Sequence, residues 1–338
     1  MPKIGFACKY SVNTKSGVES VPELNVGGTT NTWLTRQTSN VAEQKLWDLT
    51  KDNIASVHNL VKKVGTLDDH LRMVRIGSDI LPLFTHTSWK YFYSLADVKA
   101  YAEREFAKVG ETARQAGVRL SFHPGQFCVL ASDSDDIVSR SIEEFEYHAT
   151  MAAWMGFGKE FQDFKINVHI SGRRGPAGIR QVMGRLSPEA RNCITIENEE
   201  MTYGLSDCLS LADTLPIVLD IHHHWIREGE YIPCKDDRVK RVVDSWRGVR
   251  PTLHYSLSRE DVLVGHSVTR RPYLPSLLTE GHKKQKLRAH SDYFWNNSAN
   301  EWALSFLETH DIMCEAKAKN LASFKLAAQA KELGLLSA

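Results

Sequence analysis

The chain has 338 residues, 42% of them hydrophobic and 25% charged. That mixture suits a folded globular protein and excludes a disordered chain, which lacks the apolar groups to offset the entropy of ordering. Lys and Arg total 42 against 41 Asp and Glu, a net charge of +1 that does not by itself advertise a nucleic-acid partner.

In chain order, short apolar runs alternate with helical patterns. The first run, 4–7, is followed by a long polar stretch, 8–39, that holds Gly27, Gly28, Thr29, Thr30 and Asn31. Residues 40–64 then place Leu46, Leu49, Ile54, Val57, Leu60, Val61 and Val64 on one helical face. Asn40 and Glu43 are spaced for a capping box at its start, and Gly65 can end it. A run at 73–76 leads to a helix at 95–116 closed by Gly117, and a run at 120–122 leads to a helix at 137–155 closed by Gly156. Further runs lie at 166–170, 193–196, 217–219, 253–255 and 312–314, with helices predicted at 205–214, 235–246, 301–309 and 321–333.

These eight runs are rich in Ile, Val, Leu and Phe and do not alternate with polar residues, as suits parallel strands covered on both faces. Eight strands alternating with helices fit a closed (β/α)8 TIM barrel filling 1–338 as one domain, its last helix (within about 320–335) covering the barrel's end. No Gly-x-Gly-x-x-Gly follows the first strand, which argues against an open dinucleotide-binding sheet. The stretches 8–39 and 256–299 both follow strands, so both overhang the C-terminal face, where barrel enzymes keep their sites.

No apolar run approaches the roughly 18 residues that span a bilayer. The opening Met1-Pro2-Lys3-Ile4 lacks the apolar core of a secretion signal, so a cytoplasmic protein is expected. The six cysteines form no Cys-x-x-Cys pair and read as buried thiols of a reducing compartment.

The chemistry lies at the strand ends. Arg75 and then His86 follow the second strand, and the third ends in His123-Pro124-Gly125-Gln126-Phe127. The fourth ends at His169, the fifth at Glu197-Asn198-Glu199, and the sixth at Asp220 with His222, His223 and His224. The seventh offers His254, the eighth Glu315 and Lys317, and a separate loop carries His290 and Asp292. One such residue is more often a hydrogen-bonded structural group than a ligand. Six consecutive strands delivering His, Asp or Glu to one rim are a different matter, because buried carboxylates and imidazoles are costly without a partner. With few Lys or Arg in these runs, divalent metal is the economical partner, and a set of His, Asp and Glu without Cys suits Mn²⁺, Zn²⁺, Mg²⁺ or Co²⁺. Seven to nine ligands imply two or three ions, each taking about three or four protein ligands. Asp220 and His223 leave one strand end together, but spacing alone does not choose among His222, His223 and His224.

Several of these motifs resemble the ultraviolet damage endonucleases. They are His123-Pro124-Gly125-Gln126, Val168-His169, Ile196-Glu197-Asn198-Glu199, Asp220-x-x-His223, His254, the His290 loop and Glu315-Ala316-Lys317. Ile4-Gly5-Phe6-x-Cys8, Gly28-Thr29-Thr30-Asn31 and Arg75-Ile76 join them, and the match runs in order from Ile4 to Lys319. The resemblance implies a metal-dependent barrel that nicks double-stranded DNA immediately 5′ of pyrimidine photoproducts, with abasic sites as a second target. It implies a metal shell of His86, His123, His169, Glu197, Asp220, His223, His254, His290 and Glu315, with Mn²⁺ the first candidate. Glu197 and Glu315 would bridge ions, His254 would join the catalytic set, and Lys317 would neutralise phosphate charge. Gln126 and Phe127 fall where the family places residues that push into the duplex, and Phe6, Tyr10, Arg75 and Asn198 fall at its other lesion contacts. Phe127 and Phe6 stand where the family often has Tyr, Tyr10 where it has Asn, and Thr252 where some members carry a metal-facing Lys. The expected partner is damaged DNA alone, bound by a monomer. A metal-dependent sugar isomerase or epimerase on a similar barrel is the alternative. The basic cluster Lys283-Lys284-Gln285-Lys286-Leu287-Arg288 reads either as a phosphate-binding rim or as a solvated loop.

Overall fold

The computed structural model describes residues 1–337. Its inner wall is made of β1 (Ile4–Cys8), β2 (Met73–Ile76), β3 (Arg119–Phe122), β4 (Lys165–His169), β5 (Ile194–Glu197), β6 (Ile217–Val218), β7 (Thr252–Tyr255) and β8 (Asp311–Cys314). All neighbours pair in parallel, in the order β6-β5-β4-β3-β2-β1-β8-β7. The ring is completed between β6 and β7 by a parallel bridge from Asp220 to His254, whose amide donates to the Leu219 carbonyl at 3.0 Å. The chain is a (β/α)8 TIM barrel.

Helices cover the outside. The longest, α1 (Ser39–Gly65), buries Leu46, Ile54, Val57, Leu60, Val61 and Val64 as its spacing predicted. Its start differs from expectation: Thr38 is the N-cap, no side chain caps it, and the capping box of Asn40 and Glu43 does not form. Glu43 instead accepts from the Tyr91 hydroxyl at 2.8 Å. The helices Ala96–Gln115 and Asp135–Trp154 end where Gly117 and Gly156 take φ of +63° and +85°, left-handed conformations that favour glycine. A shorter helix, α2 (Ile221–Glu228), carries the three consecutive histidines. The last, α3 (Asn320–Glu332), does not cover an end of the barrel. It begins at Asn320, bonded to the Ser11 backbone at 2.7 and 3.0 Å, and runs to Lys331, paired with Asp68 at 2.9 Å, so it lies lengthwise beside β1.

The two long stretches are structured. Residues 8–39 contain an antiparallel hairpin, Ser11–Thr14 with Gly17–Ser20, and a helical turn, Asn31–Leu34. Residues 256–299 contain Leu274–Thr279 and Lys284–Leu287, whose Leu274, Leu277 and Leu287 pack with Leu263 on Trp225 and Ile226 of α2.

Strand parity decides what enters the barrel. Ala7, Met73 and Met313 form a small interior cluster apart from the main core, whereas Phe6, Val74 and Ile312 belong to the layer between strands and helices. Above the interior methionines, on the same parity, lie Arg75 and Glu315. Below them Asp311 accepts hydrogen bonds from the Lys3 amide (2.8 Å), Arg119 (2.6 Å) and Arg250 (2.8 Å).

Candidate metal centre

The hub is Glu197, the last residue of β5, with no exposed surface. Its Oε2 lies 3.1 Å from His254 Nδ1 and 3.3 Å from His123 Nε2, and its Oε1 lies 3.6 Å from His223 Nδ1. His254 Nδ1 is also 3.3 Å from Glu315 Oε1, and the His169 ring sits 4.9 Å from that of His123. Two groups have ligand atoms all within 4.8 Å of one another: His123, His169 and Glu197, and Glu197, Asp220 and His254. Glu197 belongs to both.

Helix geometry separates the three histidines that spacing left open. Asp220 caps α2, its Oδ1 accepting from the His223 amide at 2.6 Å. Successive residues then point about 100° apart. His222 stacks on Trp225, His224 bonds Glu230 at 3.1 Å, and His223 faces Glu197 with its Nδ1 donating to the Asn198 carbonyl at 3.0 Å. His290 is half-buried near His222, ring centres 6.4 Å apart. His86 joins neither convergent group; its Nδ1 accepts from the Ser88 amide at 3.2 Å.

The electrostatics are those of a crowded, buried acidic pocket in which the carboxylates are unequally compensated. Burial drives the Glu197 carboxyl upward, but His254, His169 and the bond from His123 together hold it well below the usual carboxylate range. Glu315 follows the same pattern, with Arg75 the largest opposing influence. Burial lifts Asp220 well above its ordinary value, reinforced by Glu197 and Glu315. His254 is pushed down to about 4 by burial, whereas at His223 burial is outweighed by the surrounding carboxylates, led by Asp220, which raise it to about 9. Within the two convergent groups, four buried atoms have no hydrogen-bond partner: Glu197 Oε1, Asp220 Oδ2, His169 Nδ1 and His254 Nδ1. Such atoms are rare and expensive inside a protein. An oxygen-and-nitrogen donor set with orphaned lone pairs fits a divalent cation.

Three expected lesion contacts lie inside the protein instead. Phe6 and Tyr10 are buried, because outward parity on β1 puts Phe6 under the helices, where Tyr10 meets its ring edge-on at 5.8 Å. Asn198 is also buried, clamping β5 to β6 by donating to the Asp220 carbonyl (3.0 Å) and accepting from its amide (2.9 Å). Arg75 is bound to Glu315. Lys317 points outward, half exposed, with Asp292 at 3.9 Å. Lys319 lies nearer, within the fields of Cys8, Arg75 and Glu315. Gln126 and Phe127 are exposed on the loop after β3, Phe127 by 85%.

Sequence reasoning missed several members. Lys165, at the base of β4, places Nζ 2.9 Å from His254 Nε2. Asn167 donates to Glu197 Oε2 and accepts from Thr195 Oγ1 at 2.8 Å. Both share the parity of His169, so a polar residue at every second position of 165–169 was the available signal. Glu200 lies 3.7 Å from His223 Nε2 and binds Arg288 at 2.8 Å.

With this geometry in place, likeness to known proteins is informative. The sequence profile of UV-endonuclease UvdE matches residues 2–336. The chain belongs to that family. A UV DNA damage endonuclease of Bacillus thuringiensis subsp. konkukian is 25% identical over 292 residues, 83% of this chain and 81% of that protein. A UV-damage endonuclease of Neurospora crassa is 26% identical over 244 residues, and that match spans 67% of this chain but 36% of the fungal protein. The crystal structure of SacUVDE superposes with a TM-score of 0.72 at 22% identity, covering 99% of this chain and all of the other. Endonuclease IV from Thermus thermophilus gives a TM-score of 0.53 at 15% identity over 82% of this chain and 94% of the other. These two likenesses show the barrel fold.

Proposed function

We propose that this UvdE-family protein is a metal-dependent repair endonuclease that nicks duplex DNA immediately 5′ of ultraviolet photoproducts, its whole chain acting as one domain. The observation that carries this is the convergence of Glu197, Asp220, His123, His169 and His254, with four orphaned ligand atoms, on the C-terminal face of the barrel. Two or three divalent ions, Mn²⁺ first, would be held there, with His223, His290 and Glu315 completing the shell and Glu197 shared between positions. When bound, such ions supply Lewis-acid polarisation of a phosphate and a water of lowered pKa.

The chain's own groups do the rest. Glu197 stays anionic because three imidazoles face it. Arg75 keeps the Glu315 carboxylate ionised and turned inward. At the rim, Phe127 and Gln126 are free to enter the duplex where a photoproduct has already weakened stacking, which lowers the few kcal/mol that opening an intact step costs. A cleft of about 830 Å³ lies beside Phe127, with Lys9 and Arg140 among its walls. Abasic sites would suit the same wedge. A sugar isomerase is the weaker reading, since a small substrate has no use for an exposed Phe127.

The test is a duplex carrying one thymine dimer, incubated with the protein and Mn²⁺, then with EDTA. One nick 5′ of the dimer, absent on undamaged duplex and abolished by EDTA, is expected. Equal cutting of both duplexes, or full cutting after complete chelation, overturns the proposal.

A further inference from the structure

Lys165 is the first residue of β4 and only 3% exposed. Lysines are almost never so buried unless paired, because the stem packs readily but the amine head needs a polar partner. The ordinary partner is a carboxylate, and Lys165 takes part in no ion pair among the described residues. The other interior cations are already matched, Arg75 with Glu315 and Arg119 with Asp311. The Lys165 amine meets His254 Nε2 at 2.9 Å, a hydrogen bond whichever atom carries the proton.

His254 is fully buried and held from both sides. Its Nδ1 faces Glu197 at 3.1 Å and Glu315 at 3.3 Å. Histidine rings have a broad, nearly two-fold torsion about χ2, so an unpinned ring can turn Nδ1 away. A ligating histidine is normally fixed through its second nitrogen. Resting on the metal-dependent reading above, we infer that Lys165 is a positioning residue of the metal centre. It pins His254 through Nε2 so that Nδ1 faces Glu197, where an ion would be held. Strand β4 then serves the site at three depths, through Lys165 on His254, Asn167 on Glu197, and His169 as a ligand itself.

The test measures Mn²⁺ binding to the metal-freed full chain by the resonance of unbound Mn²⁺, apart from any DNA assay. Lys165→Met keeps the straight stem and removes the amine. Its thermal midpoint should match or exceed the parent's, since an apolar replacement of a buried charge is often neutral or stabilising. Its Mn²⁺ affinity at one position should fall about 10–100-fold, the usual cost of losing such a partner. Lys165→Gln, one atom too short to reach His254, should do the same and serves if the Met variant misfolds. Because the deficit is in holding His254, adding Lys165→Met to His254→Asn should cost little more than His254→Asn alone. Incision kcat should drop with the KM for duplex unchanged, as Lys165 lies beneath the site. Parent-like affinity in both Lys165 variants, or losses that multiply in the double variant, overturns the inference. Failure of the parent itself to bind Mn²⁺, Zn²⁺ or Co²⁺ overturns the metal reading instead, while Mn²⁺ binding without incision overturns only the proposed reaction.

Discussion

The two ends of this barrel hold similar side chains in opposite states of pairing. At the N-terminal end, Asp311 is surrounded by the Lys3 amide, Arg119 and Arg250. Arg250 also donates to the Leu307 and His310 carbonyls at 2.6 and 2.7 Å, and Arg119 lies over the Trp246 ring at 5.8 Å. At the C-terminal end, Glu197, Asp220 and Glu315 crowd together with Arg75 and imidazoles, and Glu197 Oε1 and Asp220 Oδ2 are left bare. A buried charge whose role is structural is closed by the chain's own cations. One left open marks a place where positive charge is to be brought in.

The sharpest way to break this contrast is Glu197→Gln. Losing one charge-holding group from a water-excluded site costs on the order of 10²–10³-fold in rate, and as a shared ligand Glu197 should stand at the top of that range. The metal-free variant should still fold, because the Gln amide keeps the shape of the carboxylate and its oxygen can still accept from Asn167. Incision rates on a dimer-bearing duplex with saturating Mn²⁺, beside thermal melts with EDTA, check both. A rate within tenfold of the parent would sink the contrast.

The mirror experiment is Asp311→Ala. It strands Arg119 and Arg250, and breaking a buried pair this way costs about 3–5 kcal/mol. Both guanidiniums keep some water, so roughly 2–4 kcal/mol of unfolding free energy is expected by denaturant titration, with kcat unchanged at temperatures where the variant is folded. If Asp220→Asn destabilises the metal-free protein equally, the two ends are not different in kind.

A milder probe of the closed end is acid. His310 is buried, burial lowers it to about 4, and its Nε2 has no partner. The folded state therefore resists a proton that the unfolded chain accepts near pH 6.5. Its contribution is complete above that pH and is lost as pH falls toward 4, about 3 kcal/mol in all by linkage. His310→Gln should flatten this part of the stability–pH curve, and an unchanged curve would deny His310 that role.

The contrast also shows what sequence patterns carry. All eight strands were legible because short Ile- and Val-rich runs between helical patterns have few other uses; the run at 166–170 became Lys165–His169, one residue displaced. Chemistry at the open end was legible because ligands terminate those runs. The hairpin at Ser11–Thr14 and Gly17–Ser20 was not, since its strands are largely exposed and carry no apolar alternation. Helix α2 was hidden because three histidines give no apolar stripe. Phe6 and Lys165 were misread or missed for one reason, that a strand's inward parity is set by its neighbours across the ring. Lys165 resembled a solvated flanking residue, and Phe6 a rim residue.

Discrimination between damaged and intact DNA should show a smaller effect. Phe127 is 85% exposed, so it does not pack beneath its loop. Base–aromatic stacking is worth about 1–3 kcal/mol. Phe127→Ala should therefore lower the preference for a dimer-bearing duplex roughly tenfold with bound metal unchanged, and Phe127→Tyr should preserve it because the ring does the stacking. Undiminished preference in Phe127→Ala at normal metal content would remove the wedge.

The smallest effect concerns which rim charges are free. Lys284 donates to the Arg227 carbonyl at 2.8 Å and Arg288 binds Glu200 at 2.8 Å, so both are engaged within the protein like the cations at the closed end. Lys283 and Lys286 are exposed and make no side-chain bond among the described residues. Each phosphate contact adds about 0.9 to the slope of log affinity against log salt. Replacing Lys283 and Lys286 by Ala should then reduce the slope by up to about 1.8, whereas Lys284→Ala with Arg288→Ala should change it less. The second pair has a different expected consequence: freeing Glu200 beside His223 Nε2 alters the charge at the open end, so Mn²⁺ affinity should shift while the salt slope holds. Filter-binding titrations of duplex DNA across salt concentrations, paired with Mn²⁺ titrations, separate the two. Equal slope losses from both pairs would mean that Arg288 leaves Glu200 for phosphate when DNA arrives, and that pairing at the rim, unlike pairing at Asp311, is exchangeable.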